Sequence, residues 1–508
     1  MVRIAPTALD SSVLNAMSSS RRTTMYTGMP TVRDCLHRAG AWLGARRRRM
    51  RCMETGLIVG LASLLSASCS LMAPDEPDEP ENAIKIGALL PFSGSESAIG
   101  RNLEQAMLLA VEDLTAAGGL EGRPFDIVSR DSHSNQDSHS NHDSHPNQDR
   151  GLDQLLSLIY TDGVDYLVGP EENELAREIA FWVKKDDLLH MLPGYAAPSI
   201  ARREEVGGKM RLAPSPFAVG CALAKTIVRD GVRTANSLSA RDDYNAGVST
   251  EFTTHFAALQ GRILPSVTFT SGQPTYERKI EAAFNLDDPE RAPAGRTLLA
   301  AYPAAASTIV TEWTVHGRPG RWLLGPALHT EVFLANIPQG TLDDNSYGIS
   351  PSLSLRSECS PNPNDPTGEA LSCTHWNADA FAYHFSRRWN HEVPFPAAHF
   401  YYDGVVLIAM GLVYGYATTG QIITSGLELR QKILELNDPK NDVALWWDLS
   451  AAMAKLRAGT PLRYIGAAAE YEFDTYGASQ NHIMQKWTIQ GDQFVDGDPF
   501  DAKCMVQQ

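Results

Sequence analysis

The segment Ile84-Lys-Ile-Gly-Ala-Leu-Leu-Pro-Phe-Ser-Gly94 constrains this chain more than any other. An apolar run of strand length enters a Ser-Gly loop, and from Gly100 to Ala117 the pattern becomes helical. Leu103, Ala106, Met107, Ala110, Val111 and Leu114 follow the i, i+3, i+4 rule. Strand, small-residue loop and helix make the opening unit of a doubly wound α/β domain, in which ligands bind at strand ends. Such an opening favours capture of a small molecule over cleavage of one.

The rhythm continues. Strands are expected at Phe125 to Ser129, Tyr166 to Val168 and Leu188 to Leu192, with helices near 101–117, 150–161 and 173–185. Alternation of this kind implies a parallel sheet. Lys209-Met-Arg-Leu-Ala-Pro-Ser215 interrupts it, and a second series follows: helix 216–230, strand 234–239, helix 245–260, strand 263–269, helix 275–285, and strands at 307–311 and 321–324. A turn region at 338–352 precedes helices near 375–390 and 401–417. Two β-like stretches, Tyr464 to Phe473 and Ile483 to Ile489, close the chain. The pattern predicts two α/β lobes connected more than once, divided at 84–205, 206–349, 350–460 and 461–508.

Ahead of the first strand, Arg46 to Arg51 form a basic stretch and Gly56 to Leu65 an apolar one. At about ten residues the apolar stretch is too short for a bilayer span and reads as a signal peptide. Leu65-Ser-Ala-Ser-Cys69 resembles a lipoprotein cleavage site, with Cys69 the expected lipidation point and the acidic, Pro-rich 74–80 a tether. A start at Met50 would give a leader of ordinary length. The whole chain carries a formal charge of −16. The first 68 residues contain ten arginines and three acidic residues, +7, leaving −23 on the remainder. So acidic a body argues against nucleic acid as a partner.

Beyond the leader lie Cys221, Cys359, Cys373 and Cys504. Four cysteines in an exported chain suggest disulfides, with three connectivities open. Cys359 and Cys373 flank a Pro/Asn/Gly-rich loop and are the expected pair; Cys221 with Cys504 then follows only by elimination. No CxxC spacing supports a zinc site. Three near-copies of a hexapeptide, at Asp131, Asp137 and Asp143, carry His133, His139, His142 and His145. Their composition predicts a mobile surface loop with incidental metal affinity.

The quoted opening resembles type I periplasmic binding proteins, and within them the leucine/isoleucine/valine-binding receptors of ABC transporters. So do Val111-Glu-Asp-Leu-Thr-Ala-Ala-Gly-Gly-Leu-Glu-Gly-Arg-Pro124, Gly163-Val-Asp-Tyr-Leu-Val-Gly-Pro170, Arg211-Leu-Ala-Pro-Ser215, Asp242-Asp-Tyr-Asn-Ala-Gly247 and Tyr471-Glu-Phe-Asp-Thr-Tyr-Gly477. The order and spacing of these segments over about 84 to 490 carry the resemblance. It implies two Rossmann-like lobes, a three-strand hinge, and a ligand enclosed between the lobes for a permease in the membrane. No cofactor is implied.

Residue by residue, the resemblance places Ser93, Gly94, Glu171, Glu172, Asn173, Tyr195, Ala196, Tyr244 and Trp313 at the ligand. Family members that bind amino acids present hydroxyls and amides to a carboxylate where this chain has Glu171 and Glu172. Ala196 stands where a threonine would grip the ligand. Glutamates beside aromatic rings suit a neutral or cationic ligand, an amide, amine or peptide, rather than leucine or valine. The same glutamates could instead serve the dipole of the helix starting near Asn173. No GxSxG, HExxH, P-loop or GxGxxG motif speaks for an enzyme. A scaffold lipoprotein without a transporter is the other binding-class reading.

Overall fold

The opening apolar run becomes strand β1, Ile84–Leu90, buried at every position but Lys85, as a strand covered on both faces must be. The computed structural model describes residues 82–132, 146–171, 173–194, 207–286, 294–342, 346–353, 376–480, 483–497, 499–502 and 504. All of these belong to one unit, Glu79–Gln508. A 3-10 turn at Gly94–Glu96 leads from β1 into helix α1, Ser97–Ala116. Leu103, Ala106, Met107, Ala110 and Leu114 form its buried stripe, as their spacing requires.

Strands β2 (Phe125–Asp131), β3 (Tyr166–Val168), β4 (Leu189–Leu192) and β5 (Lys209–Arg211) join β1 in a parallel sheet ordered β2-β1-β3-β4-β5. Helices α2 (Pro146–Ser157) and α3 (Asn173–Lys185) connect its strands. Strand order reverses between β1 and β3, so the loops after these two strands diverge and leave a crevice. This is lobe I.

Lobe II repeats the plan. It runs α4 (Pro216–Arg229), β6 (Thr234–Ala240), α5 (Asp243–Ala258), β7 (Arg262–Ile263), β8 (Val267–Phe269) and α6 (Glu277–Phe284). Then come β9 (Arg296–Ala300), α7 (Pro303–Val315), β10 (Trp322–Leu324), α8 (Glu331–Ala335) and β11 (Tyr347–Pro351). Strand β6 pairs β7 and β8 on one side and β9 on the other, giving a second reversal. Helices α9 (Trp376–Arg388), α10 (Pro396–Thr419), α11 (Gly426–Leu436) and α12 (Leu449–Arg457) accompany the strand pair β12 (Asp442–Leu445) and β13 (Leu462–Ile465). Strands β14 (Ile483–Gln490), β15 (Gln493–Asp496) and β16 (Phe500–Asp501) finish the lobe II sheet in antiparallel sense.

Helix α10 is long and apolar enough to cross a membrane, with mean hydropathy 1.3, yet 94% of that stretch is buried inside the protein. A helix apolar all round belongs in a core, and α10 packs against α1, α11 and α12 in lobe I.

Several expectations change. Residues 307–311 lie in helix α7, not a strand. Their β-branched composition is overridden by Pro303 at the first helical position and by Ala305, Ile309, Val310 and Trp313, which bury one face. Part of the expected turn region 338–352 is β11, fully buried in the sheet. Helix α2 begins at Pro146, so the last hexapeptide copy enters a helix and Asp131 closes β2; the copies between lie outside the described residues. Lobe boundaries shift as well. β5 extends lobe I to Arg211, β11 extends lobe II to Pro351, and Leu462, Tyr464 and Tyr471 pack into the lobe I core. Hydrogen-bond pairing, which local composition does not report, decides each of these memberships.

The chain passes between lobes after β5, after β11 and before β14. The first and last passages run side by side: Arg211 N donates to Gly477 O at 2.8 Å, and Ser479 N to Arg211 O at 2.9 Å. Ser352 N donates to Ile483 O at 3.0 Å, bringing the second alongside.

Cys221 and Cys504 are bonded, with a Cα–Cα distance of 6.1 Å. The bond ties the C-terminal segment to α4 in the core of lobe II. Cys359 and Cys373 lie outside the described residues.

Candidate ligand cleft

Both switch points open onto one cleft of about 590 Å³. Lobe I contributes Glu96 and Ile99, from the turn after β1 and the first turn of α1. Lobe II contributes Tyr302, at the end of the loop after β9, and the face of α7 that carries buried Ser307, exposed Thr311 and half-buried Glu312. Val332 and Asn336, at α8, close one side.

The hydroxyls on this face have their protons committed. Ser307 Oγ donates to Pro303 O at 2.8 Å, Thr308 Oγ1 to Ala304 O at 3.3 Å, and Thr311 Oγ1 to Ser307 O at 2.8 Å. Back-bonding of this kind is the usual fate of Ser and Thr inside a helix, and it leaves their lone pairs as acceptors toward the cleft. Glu312 accepts from Tyr276 N at 2.8 Å, which fixes the carboxylate in place and leaves it further acceptor capacity. No Lys, Arg or His lines the cleft among the described residues. Among the described lining residues, carboxylates stand on both lobes and no cation faces them.

Glu171 follows β3 at the lobe I switch point and is not among the described residues lining this cleft. Its carboxylate accepts from Tyr401 Oη of α10 at 2.8 Å and lies against Gly194, where any Cβ would collide with it. Burial pushes its carboxyl up to about 7, opposed by the Tyr401 hydrogen bond and helped by the charge of Glu96. The folded chain therefore binds more protons here than the unfolded chain between about pH 4.5 and 7. Stability contributed by this site is present below pH 4.5 and lost as pH rises through 7, by at most about 3 kcal/mol. Glu171→Gln is expected to flatten that part of the profile in urea unfolding across this range; an unchanged slope would refute the assignment.

Of the other expected ligand residues, half-buried Ser93 and exposed Gly94, the latter at φ +70°, shape the turn that presents Glu96. Tyr244 does not face the cleft. It is fully buried on α5 beside Phe252 and Phe256 in lobe II. Trp313 is likewise core, packed on Phe284 and Trp322, its Nε1 donating to Pro319 O at 2.8 Å. Both rings turn inward because the helix faces carrying them pack on the sheet. Asn173 begins α3. Glu172, Tyr195, Ala196 and Cys69 lie outside the described residues. Sequence reasoning did not single out Glu96, Tyr302 and Glu312, which line the cleft. Glu96 sits two residues past the Ser-Gly loop and was within reach of the strand-end rule.

Among the described residues one Ser-His-Asp chain is formed. His329 contacts Ser350 Oγ at 3.0 Å through Nδ1 and Asp496 Oδ1 at 3.1 Å through Nε2. Ser350 is only 3% exposed and the imidazole stacks on Trp487, so this chain braces β11 and β15 and offers no accessible nucleophile.

Residues 83–285 match the family described as Periplasmic binding protein. The chain has the type I periplasmic binding protein fold. LivJ of Streptococcus pneumoniae, a branched-chain amino acid transporter substrate-binding protein solved with isoleucine, aligns with TM-score 0.61 and 17% identity, over 82% of this chain and 99% of that one. The leucine-binding protein LivK of Thermotoga maritima gives TM-score 0.61 and 14% identity, over 82% and 99%. A solute-binding protein of an R. palustris ABC transporter, solved with benzoate, gives 0.58 and 15%, over 82% and 96%. These relatives are named as binding proteins, not as enzymes. No curated protein sequence matches the chain.

Proposed function

We propose that this binding protein is the extracytoplasmic receptor of an ABC-type transporter, and that its ligand is a small cationic or hydrogen-bond-donating molecule. The observation that carries the ligand class is the pair of carboxylates lining the cleft, Glu96 on one lobe and Glu312 on the other. A protonated amine or amide held between two carboxylates and a row of hydroxyl lone pairs has every donor answered. Benzoate, an anion, would meet like charge in a partly desolvated cleft, and isoleucine, a zwitterion, would have its ammonium answered but its carboxylate repelled. The expectation of a neutral or cationic ligand thus rests on Glu96 and Glu312 in place of Glu171 and Glu172. Closure of the lobes about the paired crossovers supplies the enclosure.

A thermal-shift screen of amines, amides, short peptides, leucine and benzoate tests this reading. Ligands bearing donors are expected to raise Tm, and Glu96→Gln or Glu312→Gln to weaken their binding about tenfold or more. Tight leucine or benzoate binding, indifferent to both substitutions, would overturn it.

The leader supports a location in the cell envelope, with Cys69 as the lipid attachment point. Labelled fatty acid is expected to appear in the expressed chain and to vanish from the Cys69→Ser variant. Labelling of both forms would place the lipid elsewhere.

A further inference from the structure

We propose that Glu277, Glu281 and His316 form a binding site for a divalent transition-metal ion of the zinc class on the outer surface of lobe II. The two glutamates lie one helical turn apart on α6, and His316 ends α7, so two separate elements supply the ligands. One oxygen from each carboxylate and one imidazole nitrogen already lie within 4.8 Å of one another. His316 Nε2 stands 3.8 Å from Glu277 Oε1. That is too long for a hydrogen bond. It is close to the separation of roughly 3.3 Å between two ligands that sit about 2.0–2.1 Å from one tetrahedral ion.

Two features of the surroundings point the same way. Glutamates at i and i+4 repel, and among the described residues neither is ion-paired to a lysine or arginine. A bound cation would remove that repulsion. The frame is also fixed independently of the three ligands: Tyr276 N, next to Glu277, donates to Glu312 on α7, and Phe284 of α6 packs on Trp313 of α7. Ligands mounted on two clamped helices need only rotamer adjustments to close on an ion. One imidazole with two carboxylates suits Zn²⁺ better than Mg²⁺, which prefers an all-oxygen shell with several waters. Three protein ligands leave a coordination position for water.

Equilibrium dialysis of the full chain against zinc chloride, at low micromolar free metal, tests the assignment. Any zinc taken up by the histidines of the hexapeptide repeat is common to every variant, so the decisive quantity is a difference. His316→Ala and Glu281→Gln are each expected to hold one zinc equivalent fewer than the wild type, or to bind that equivalent roughly tenfold or more weakly. Zinc should also raise Tm more in the wild type than in either variant, with magnesium chloride giving no such difference. Unchanged circular dichroism and urea midpoints without metal would show both variants to be folded. Equal zinc content and equal Tm response in wild type and both folded variants would overturn the proposal.

Discussion

Replacing Cys221 and Cys504 together by serine is expected to destabilise the folded chain by about 4–5 kcal/mol. The bond spans 283 residues of sequence, so its loop contains nearly all of lobe II and the later part of lobe I, from α9 to β13. In the chain-entropy model the effect grows with the logarithm of loop length, and a loop this long lies at the upper end of the range. Both cysteines are almost fully buried, among Ala218, Ala222, Ala502 and Met484, so two serine hydroxyls would add a desolvation penalty. The C-terminal strand β16, held to β14 by a short antiparallel pairing, is the element expected to loosen first. Thermal scans without reductant should show Tm lowered by roughly 5 °C. Reductant should lower Tm in the wild type by that much more than in the variant, where only a Cys359–Cys373 bond is left to be cleaved. A change below 1 °C would mean that the packing of β16 holds the tail without the bond.

Asp403→Ala is expected to be comparably damaging, at about 4 kcal/mol or more. The Asp403 carboxylate has no solvent exposure and takes four hydrogen bonds. Tyr464 Oη and Tyr471 Oη donate at 2.8 Å each, Ala467 N at 2.7 Å and Ala468 N at 2.8 Å. It fastens α10 to the segment after β13, and a Cβ at Gly466 would strike it. Alanine would leave four buried donors unsatisfied, at about 1–3 kcal/mol each before relaxation. Burial, opposed by these donors, pushes the carboxyl up to about 6. The folded state therefore holds its proton to higher pH than the unfolded state, and the stability this site contributes is lost as pH rises from about 3.8 to 6. Asp403→Asn keeps the shape but turns an amide NH₂ toward donors, so an intermediate loss is expected with that slope removed. Urea unfolding of the three forms at pH 4 and pH 7 checks both points, and a loss under 1 kcal/mol for alanine would refute the role.

Local pattern carried the frame of this protein. The apolar run of β1, the helical stripe of α1 and the alternation up to β4 follow from side-chain periods of two and 3.6. Those periods are properties of neighbouring residues, readable in order along the chain. The segments Gly163–Pro170, Arg211–Ser215 and Tyr471–Gly477 likewise announced a two-lobed architecture. Tertiary structure decided what each side chain faces. Glu171 and Glu96 are both carboxylates next to switch-point loops, but Glu171 is held by Tyr401, 230 residues away, while Glu96 lines the cleft. Tyr244 and Trp313 were assigned to the ligand by resemblance and belong to the core, because the rotation of α5 and α7 against their sheet is set by packing of the whole lobe. Residues 307–311 look like a strand by composition and form a helix because Pro303 and the partners of Ile309 and Val310 outweigh β propensity. The Cys221–Cys504 bond was open among three connectivities, since no local spacing relates positions 283 residues apart. Periodicity reports neighbours along the chain; it does not report which distant element arrives to cover a given face.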